Sequence, residues 1–342
     1  MLKLFRRHRN PRAVGIRPPV AFLYNSRECL WPGLKPYLEE ADEPFLTSWR
    51  RSERFVKERL GWSLIERLAR VETVQDIAAQ QTLLEPLLTT LQIALTDAWQ
   101  GRGVGPTHVA GRSAGEFAAG YGQGALSDIQ ALELACRVSE MFSSGRSAGN
   151  VVRLKGDALD EFIRELALPL YFTADGREHG RYFSCAPADL AGLLDAAAAA
   201  NVEAHVEPMT VAAHSPIMDA YRDDFIKTFG SDVSRTSPVH GFSSVSAGPH
   251  PEGPLTPDYW WNAIREPVLM QQTFETMMSS GVSIFLEIGA RGSFGPILRD
   301  AARVCGRDIH VIPSMMVDSP VRTTMDAAFE ELQRVFALSV SP

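Results

Sequence analysis

Residues 111–115 read Gly-Arg-Ser-Ala-Gly. A serine flanked two positions away on each side by glycine is the pattern of a sharp strand-to-helix turn, because small residues let the chain fold tightly enough to expose the hydroxyl. Ser113 is therefore a candidate nucleophile, and the helix start behind it offers partial positive charge and a backbone N–H to a developing oxyanion. Such a serine needs a base. Of the eight histidines, His8 and His250 fall in loop or tail segments, His108 precedes the motif on its strand and His179 lies in a turn. His214, in the run VAAHSPIMD, stands where a strand gives way to a helix, a junction at which a side chain can face a cleft. Taken alone it reads equally well as a structural or capping histidine. No Asp or Glu is placed to complete a triad, so the expectation is a Ser-His dyad whose imidazole is oriented by a backbone carbonyl. Arg112, beside the serine, puts a permanent charge there without an evident task.

The elements that must position these residues follow from periodicity. PVAFLY (19–24) is a short β-branched and aromatic run ending in the polar loop NSRECLWPG, which suits a buried strand feeding a site loop. From Asp76 to about Trp99 apolar residues recur at helical spacing; THVA is another short strand and SAGEFAAGYGQG a helix rich in small residues. Residues 149–211 change rhythm: NVVRLK, LPLYFT, GRYFSCA and VEAHVEP read as strands, ALDEFIREL and ADLAGLLDAAAAA as helices, in the order βαββαβ of a ferredoxin-like unit. The following segments are the amphipathic helix SPIMDAYRDDFIKTFG, the strand HGFSSV, the helix PVLMQQTFETMMSSG, the strand SIFLEIG, the strand VIPSM and a closing helix RTTMDAAFEELQRVF. The division expected is a basic flexible tail over 1–18, a large α/β domain over 19–148 and 212–342, and an inserted small subdomain over 149–211.

Composition narrows the class. With 342 residues and 45% hydrophobic content the chain can bury a large core, and no run of 18 uninterrupted apolar residues points to a membrane span. A net charge of −7 argues against nucleic acid as a partner, which would need a basic face. The four scattered cysteines form neither a CxxC pair nor a zinc-ligand cluster, so no metal and a reducing, cytoplasmic setting are expected.

Taken together, the GxSxG motif, VAAHSPIMD and EIGARGSFGPIL (287–298) resemble the malonyl-CoA:acyl-carrier-protein transacylase and polyketide synthase acyltransferase family. WPGL, LLTTLQIALTDAW, GALS and YWWNAIREPV extend the likeness over about 20–330. The resemblance implies an α/β-hydrolase-like large domain with an inserted ferredoxin-like subdomain and, from the chain's length, a free-standing enzyme acting in trans. It implies ping-pong chemistry with no bound cofactor: Ser113 attacks an acyl thioester, of CoA or of an acyl carrier protein, His214 is the general base, and the acyl group passes to a phosphopantetheine thiol. The oxyanion would be held by the backbone N–H groups of Ala114 and Arg27, and Ala213 would stand on the substrate wall.

Four departures bear on substrate. The family's elbow histidine is Arg112, its first-loop glutamine is Arg27 between Ser26 and Glu28 where glycines are usual, and its Gln-Pro before the elbow is Glu85-Pro86. The arginine that grips a malonyl carboxylate in the family falls on Val138, with Arg137 one residue early, about 100° away around a helix. One expectation is that Arg112 or Arg27 replaces the clamp; the other is that Arg112 bridges to Glu85 or Glu116 while Val138 admits an uncharged acyl group. A thioester hydrolase using the same dyad and an inactive interaction module are the competing functions.

Overall fold

A computed structural model describes residues 18–73, 76, 80–146, 148–176, 180–207, 211–229 and 236–339. All but the last residue of the expected basic tail, and His179, lie outside the described residues.

Among the described residues ten strands form two sheets: β1 (Val20–Tyr24), β2 (His108–Gly111), β3 (Asn150–Lys155), β4 (Tyr171–Asp175), β5 (Arg181–Cys185), β6 (Glu203–Val206), β7 (His240–Ser243), β8 (Gly248–Pro249), β9 (Ile284–Ile288) and β10 (His310–Pro313). The larger sheet has the order β10-β9-β1-β2-β7-β8 and is parallel except at its short β7–β8 edge. Its central strand β1 is buried along its whole length, as a strand covered on both faces must be. Alternate residues serve opposite layers. Phe22 and Tyr24 enter one core with Leu88, Leu91 and Trp99, whereas Ala21 and Leu23 enter the other with Phe274, Phe285 and Phe294. The first layer is built on the helix Gln81–Gly101, which packs against the helices Glu43–Leu60 and Asp128–Ser143.

The smaller sheet is antiparallel with the order β4-β5-β3-β6, the arrangement that a βαββαβ chain makes when it folds as a ferredoxin-like unit. The helices Leu159–Glu165 and Leu190–Ala199 supply Phe162, Leu193 and Ala197 to a separate core with Val152, Leu154 and Phe183. Beside the site, Val268 N–H donates to Thr173 O at 2.8 Å to tie this sheet to the larger body, and Ala148 bridges Val211 where the chain enters and leaves it.

The structure differs from the periodicity at three places. SPIMDAY begins as a 3-10 turn, Pro216–Tyr221, before the α-helix Arg222–Phe229, because Ser215 caps it and Pro216 cannot donate. The long helix starts at Gln81 rather than near Asp76. The helix Glu43–Leu60 escapes the apolar pattern because it is rich in charge, yet its boundaries are written in Asp42, which caps the Phe45 N–H, Pro44 in the first turn, and Gly61 at φ 75°.

The turn at Ser113 is fixed by backbone crowding. Arg112 N–H continues the β1 ladder by donating to Tyr24 O at 2.9 Å, and the chain then reverses into the helix Gly115–Gln123. A Cβ on Gly115 would stand 2.3 Å from Tyr24 O, and one on Gly111 would stand 2.4 Å from Glu116 N. Gly115→Ala is accordingly expected to lose about 3 kcal/mol or more of unfolding free energy. Gly105→Ala, with nothing within 4 Å of its added methyl, should stay within about 0.5 kcal/mol of the parent. Urea unfolding of the two variants measures the contrast, and equal midpoints would contradict it.

Candidate active site

Ser113 and His214 are 101 residues apart and meet at hydrogen-bond distance, Oγ to Nε2 2.7 Å. Both have left-handed backbone, φ 54° and 59°, a conformation that costs a non-glycine residue about 1–3 kcal/mol. Ser113 reaches it because the strand end must swing into the helix within two residues. The N–H groups of Gly115 and Glu116 close that turn on the carbonyls of Arg112 and Ser113, each at 2.9 Å.

The imidazole is held from the far side. Its Nδ1 lies 2.8 Å from Glu266 O, and the His214 backbone N–H donates to Ile264 O at 2.9 Å. A carbonyl only accepts, so Nδ1 carries the proton and Nε2 presents its lone pair to the Ser113 hydroxyl. Glu266 and Ile264 close the helix Pro257–Arg265, so the orienting carbonyl is an end-of-helix group that the helix does not satisfy itself. Burial lowers the His214 pKa to about 4, with the charges of Arg112 and Arg27 adding to the effect and the bond to Glu266 opposing it. The ring is therefore neutral at physiological pH, the state that can accept a proton.

Each arginine near the site is held by a glutamate of this chain. Arg27 points its Nε at Glu85 Oε1, 2.6 Å away, and its Nη2 converges on the same oxygen. The guanidinium also lies over the Phe142 ring, 5.1 Å from the centroid. Arg112 reaches Glu28 Oε1 at 3.4 Å, not Glu85 or Glu116 as one sequence expectation had it. The reason is topological: Glu85 is taken by Arg27, and Glu116 turns under the elbow to accept from Ser244 N, Ser244 Oγ and Tyr259 OH. Glu28 is itself fixed by Ser26 N and Ser293 Oγ, and Arg291 grips the Glu28 carbonyl at 2.7 and 3.0 Å.

Arg137, one residue before the clamp position and a candidate substrate-binding residue by that proximity, does not join the site. Its Nε donates to Glu133 Oε1 at 2.6 Å, and Glu133 is shared with Arg59. One residue on, Val138 is buried at 1% exposure on the face of the same helix that carries Phe142, and therefore faces the wall against which Arg27 lies. Ala213, 6% exposed, lies in the segment that brings His214 in, and its carbonyl accepts from Ser184 Oγ at 3.5 Å. Ala114 is the buried residue between Ser113 and the helix. A cavity of about 150 Å³ opens between the two sheets, lined by Arg112, Tyr182, Ala174, Val268, Met270 and Ile297 among others. It adjoins the elbow without including the dyad. Trp260 and Trp261 are core residues, at 0% and 2% exposure.

Glu266 and Tyr182 carry no sequence signal that singles them out: one acts through its backbone and the other by long-range convergence, while Glu28 stood out only as a replacement for a glycine and not as the partner of Arg112. Among the described residues no group of His, Cys, Asp and Glu is arranged to hold a metal, and no helix is long and apolar enough to cross a membrane.

Residues 22–337 match the acyl transferase domain family, and the chain belongs to it. Polyketide synthase GfsB of Streptomyces halstedii is 27% identical over 277 residues, covering 80% of this chain and 5% of that protein. Spectinabilin polyketide synthase system protein NorA of Streptomyces orinoci is 27% identical over 299 residues, 85% of this chain and 15% of that protein. The chain thus spans a small fraction of the curated relatives it matches. Among solved structures, a loading acyltransferase from the avermectin modular polyketide synthase superposes with a TM-score of 0.79 at 22% identity, covering 92% of this chain and 99% of that one. The malonyl CoA-acyl carrier protein transacylase of Clostridium perfringens gives 0.77 at 16% identity, covering 94% and 100%. These likenesses carry the mixed α/β fold with its small antiparallel sheet.

The buried, neutral His214 makes a titration prediction. Between the ordinary histidine pKa and the lowered one, the unfolded chain binds the proton that the native ring refuses, so this residue costs stability as pH falls from about 6.5 toward about 4. Histidine-resolved NMR should find the His214 ring unprotonated down to about pH 5; a midpoint at the ordinary value would contradict the burial.

Proposed function

We propose that this chain transfers an acyl group from an acyl thioester, of CoA or of an acyl carrier protein, through an ester on Ser113 to the phosphopantetheine thiol of a carrier protein. The observation that carries the reading is the oriented pair, Ser113 Oγ at 2.7 Å from a His214 Nε2 whose other nitrogen is pinned to a backbone carbonyl.

In the first half-reaction the Ser113 proton passes to His214 Nε2 as Oγ bonds to the thioester carbonyl carbon. The carbonyl π pair moves onto oxygen and is met by the N–H of Ala114 at the helix start and that of Arg27 on the loop after β1. When the oxyanion collapses, the C–S bond breaks and the imidazolium returns its proton to the departing thiolate. The second half runs the same steps in reverse: the acceptor thiol gives its proton to Nε2, sulfur attacks the acyl-serine, and Ser113 Oγ leaves with that proton. The cavity beside Arg112, walled by Val268, Met270 and Ile297 and edged by Tyr182, offers a half-apolar path for a thioester arm.

The acyl group proposed is one without a free carboxylate. Val138 gives a clamp position no charge, and Arg137, Arg112 and Arg27 are each engaged by a glutamate. These engagements count against a malonyl transferase with a relocated clamp. Retention of two strained non-glycine residues at the dyad counts against an inactive module, which would gain stability by relaxing them.

Intact-protein mass spectrometry after brief exposure to acetyl, butyryl, malonyl and longer acyl thioesters should show one acyl adduct, absent from Ser113→Ala. His214→Gln should slow its formation by about 10³-fold. An adduct that survives Ser113→Ala contradicts the nucleophile; thioester consumed to free acid without a thiol acceptor favours hydrolysis over transfer.

A further inference from the structure

Glu85 is fully buried and paired with Arg27; burial raises its pKa, and the Arg27 charge and hydrogen bond oppose that rise. Two contacts from the arginine fork go to Oε1, while Oε2 is buried and finds no hydrogen-bond partner among the described residues. Stability alone does not call for such a pair, since exchanging a buried ion pair for well-packed neutral groups is often neutral or stabilising. Its position is informative. Arg27 stands on the loop after β1, next to the elbow strand, and lies on the Phe142 ring, one helical turn from Val138 on the same face. A positive charge has thus come to the acyl side of the dyad from the opposite wall, and it is close enough to Nε2 to depress the proton affinity of His214.

We infer that Glu85 is a specificity-determining residue: a carboxylate supplied by the protein that occupies the Arg27 fork in place of a carboxylate on the substrate, and so excludes acyl groups ending in a free acid. An incoming carboxylate would have to approach Glu85 Oε2 in a site of low dielectric, where like charges repel strongly. A neutral acyl group meets a guanidinium already compensated and the apolar surface of Phe142 and Val138. Glu85→Gln keeps the shape and removes the negative charge that compensates Arg27 at Oε1. The inference rests on the acyl-transfer reading.

The test is a competition. The full chain is exposed briefly to equal concentrations of butyryl-CoA and malonyl-CoA, and the adduct masses on Ser113 are compared in the parent, in Glu85→Gln and in Arg27→Gln/Glu85→Gln, with circular dichroism confirming that each is folded. The parent is expected to carry butyryl. Glu85→Gln should shift the malonyl-to-butyryl ratio upward by about 100-fold, and adding Arg27→Gln should take that gain away. Efficient malonyl labelling of the parent overturns the inference whether or not the variants fold. An unchanged ratio in folded Glu85→Gln also overturns it while leaving acyl transfer standing. No adduct from either thioester on any form overturns acyl transfer itself, and the inference with it.

Discussion

The close approach of Gly115 to the end of β1 is the constraint on which the site depends. Because a helix must begin against Tyr24 O with no room for a Cβ, the chain after β2 turns within two residues and Ser113 is forced into left-handed backbone. That strain is stored where parallel strands end and loops converge, the usual position of ligand sites in open α/β sheets. The turn is buttressed below by Glu116, whose carboxylate accepts three hydrogen bonds from Ser244 and Tyr259. Burial nevertheless raises the Glu116 pKa to about 7, so the elbow rests on a group whose charge is costly and whose three donors compensate for it.

The base is built by a different device. Among the described residues His214 has no carboxylate partner. A peptide carbonyl at the end of a helix fixes the tautomer and the ring plane without adding negative charge. With two guanidinium groups nearby, the imidazolium form is disfavoured until a proton arrives from Ser113 and negative charge develops beside it. The same positive surroundings that lower the ground-state basicity of His214 favour an oxyanion, so the two effects belong together.

Around this centre charges are paired across different segments, the loop after β1 with the helix Gln81–Gly101 and the elbow with that same loop, while Arg291 on the loop after β9 ties down the Glu28 backbone carbonyl. Asn25 and Glu287 join the ends of β1 and β9, with Asn25 Nδ2 donating to Glu287 Oε2 at 3.0 Å and Ser293 and Phe294 N–H groups completing that oxygen. The loop carrying Arg27 is thereby anchored on two sides. An arginine in such a loop is a fixed charge with a fixed partner, which is why the identity of the partner matters more for substrate selection than the number of arginines.

The sequence by itself determined the layers and the candidates. Period-two alternation in β1, helical spacing in residues 81–101 and the βαββαβ order of 150–206 are local patterns, each dictated by which side of one element meets the core. Ser113 stood out because two glycines and a serine at that spacing leave the backbone few choices, and His214 because of the strand-to-helix junction it occupies. What only the tertiary structure decided is which groups meet. Arg112 pairs with Glu28, 84 residues away, and Arg27 with Glu85, 58 residues away. Glu266 enters through a carbonyl that every residue possesses. Local sequence fixes the direction of a side chain from its own element, whereas an ion pair or a tautomer depends on the packing of elements distant in the chain, which carries no local pattern to read.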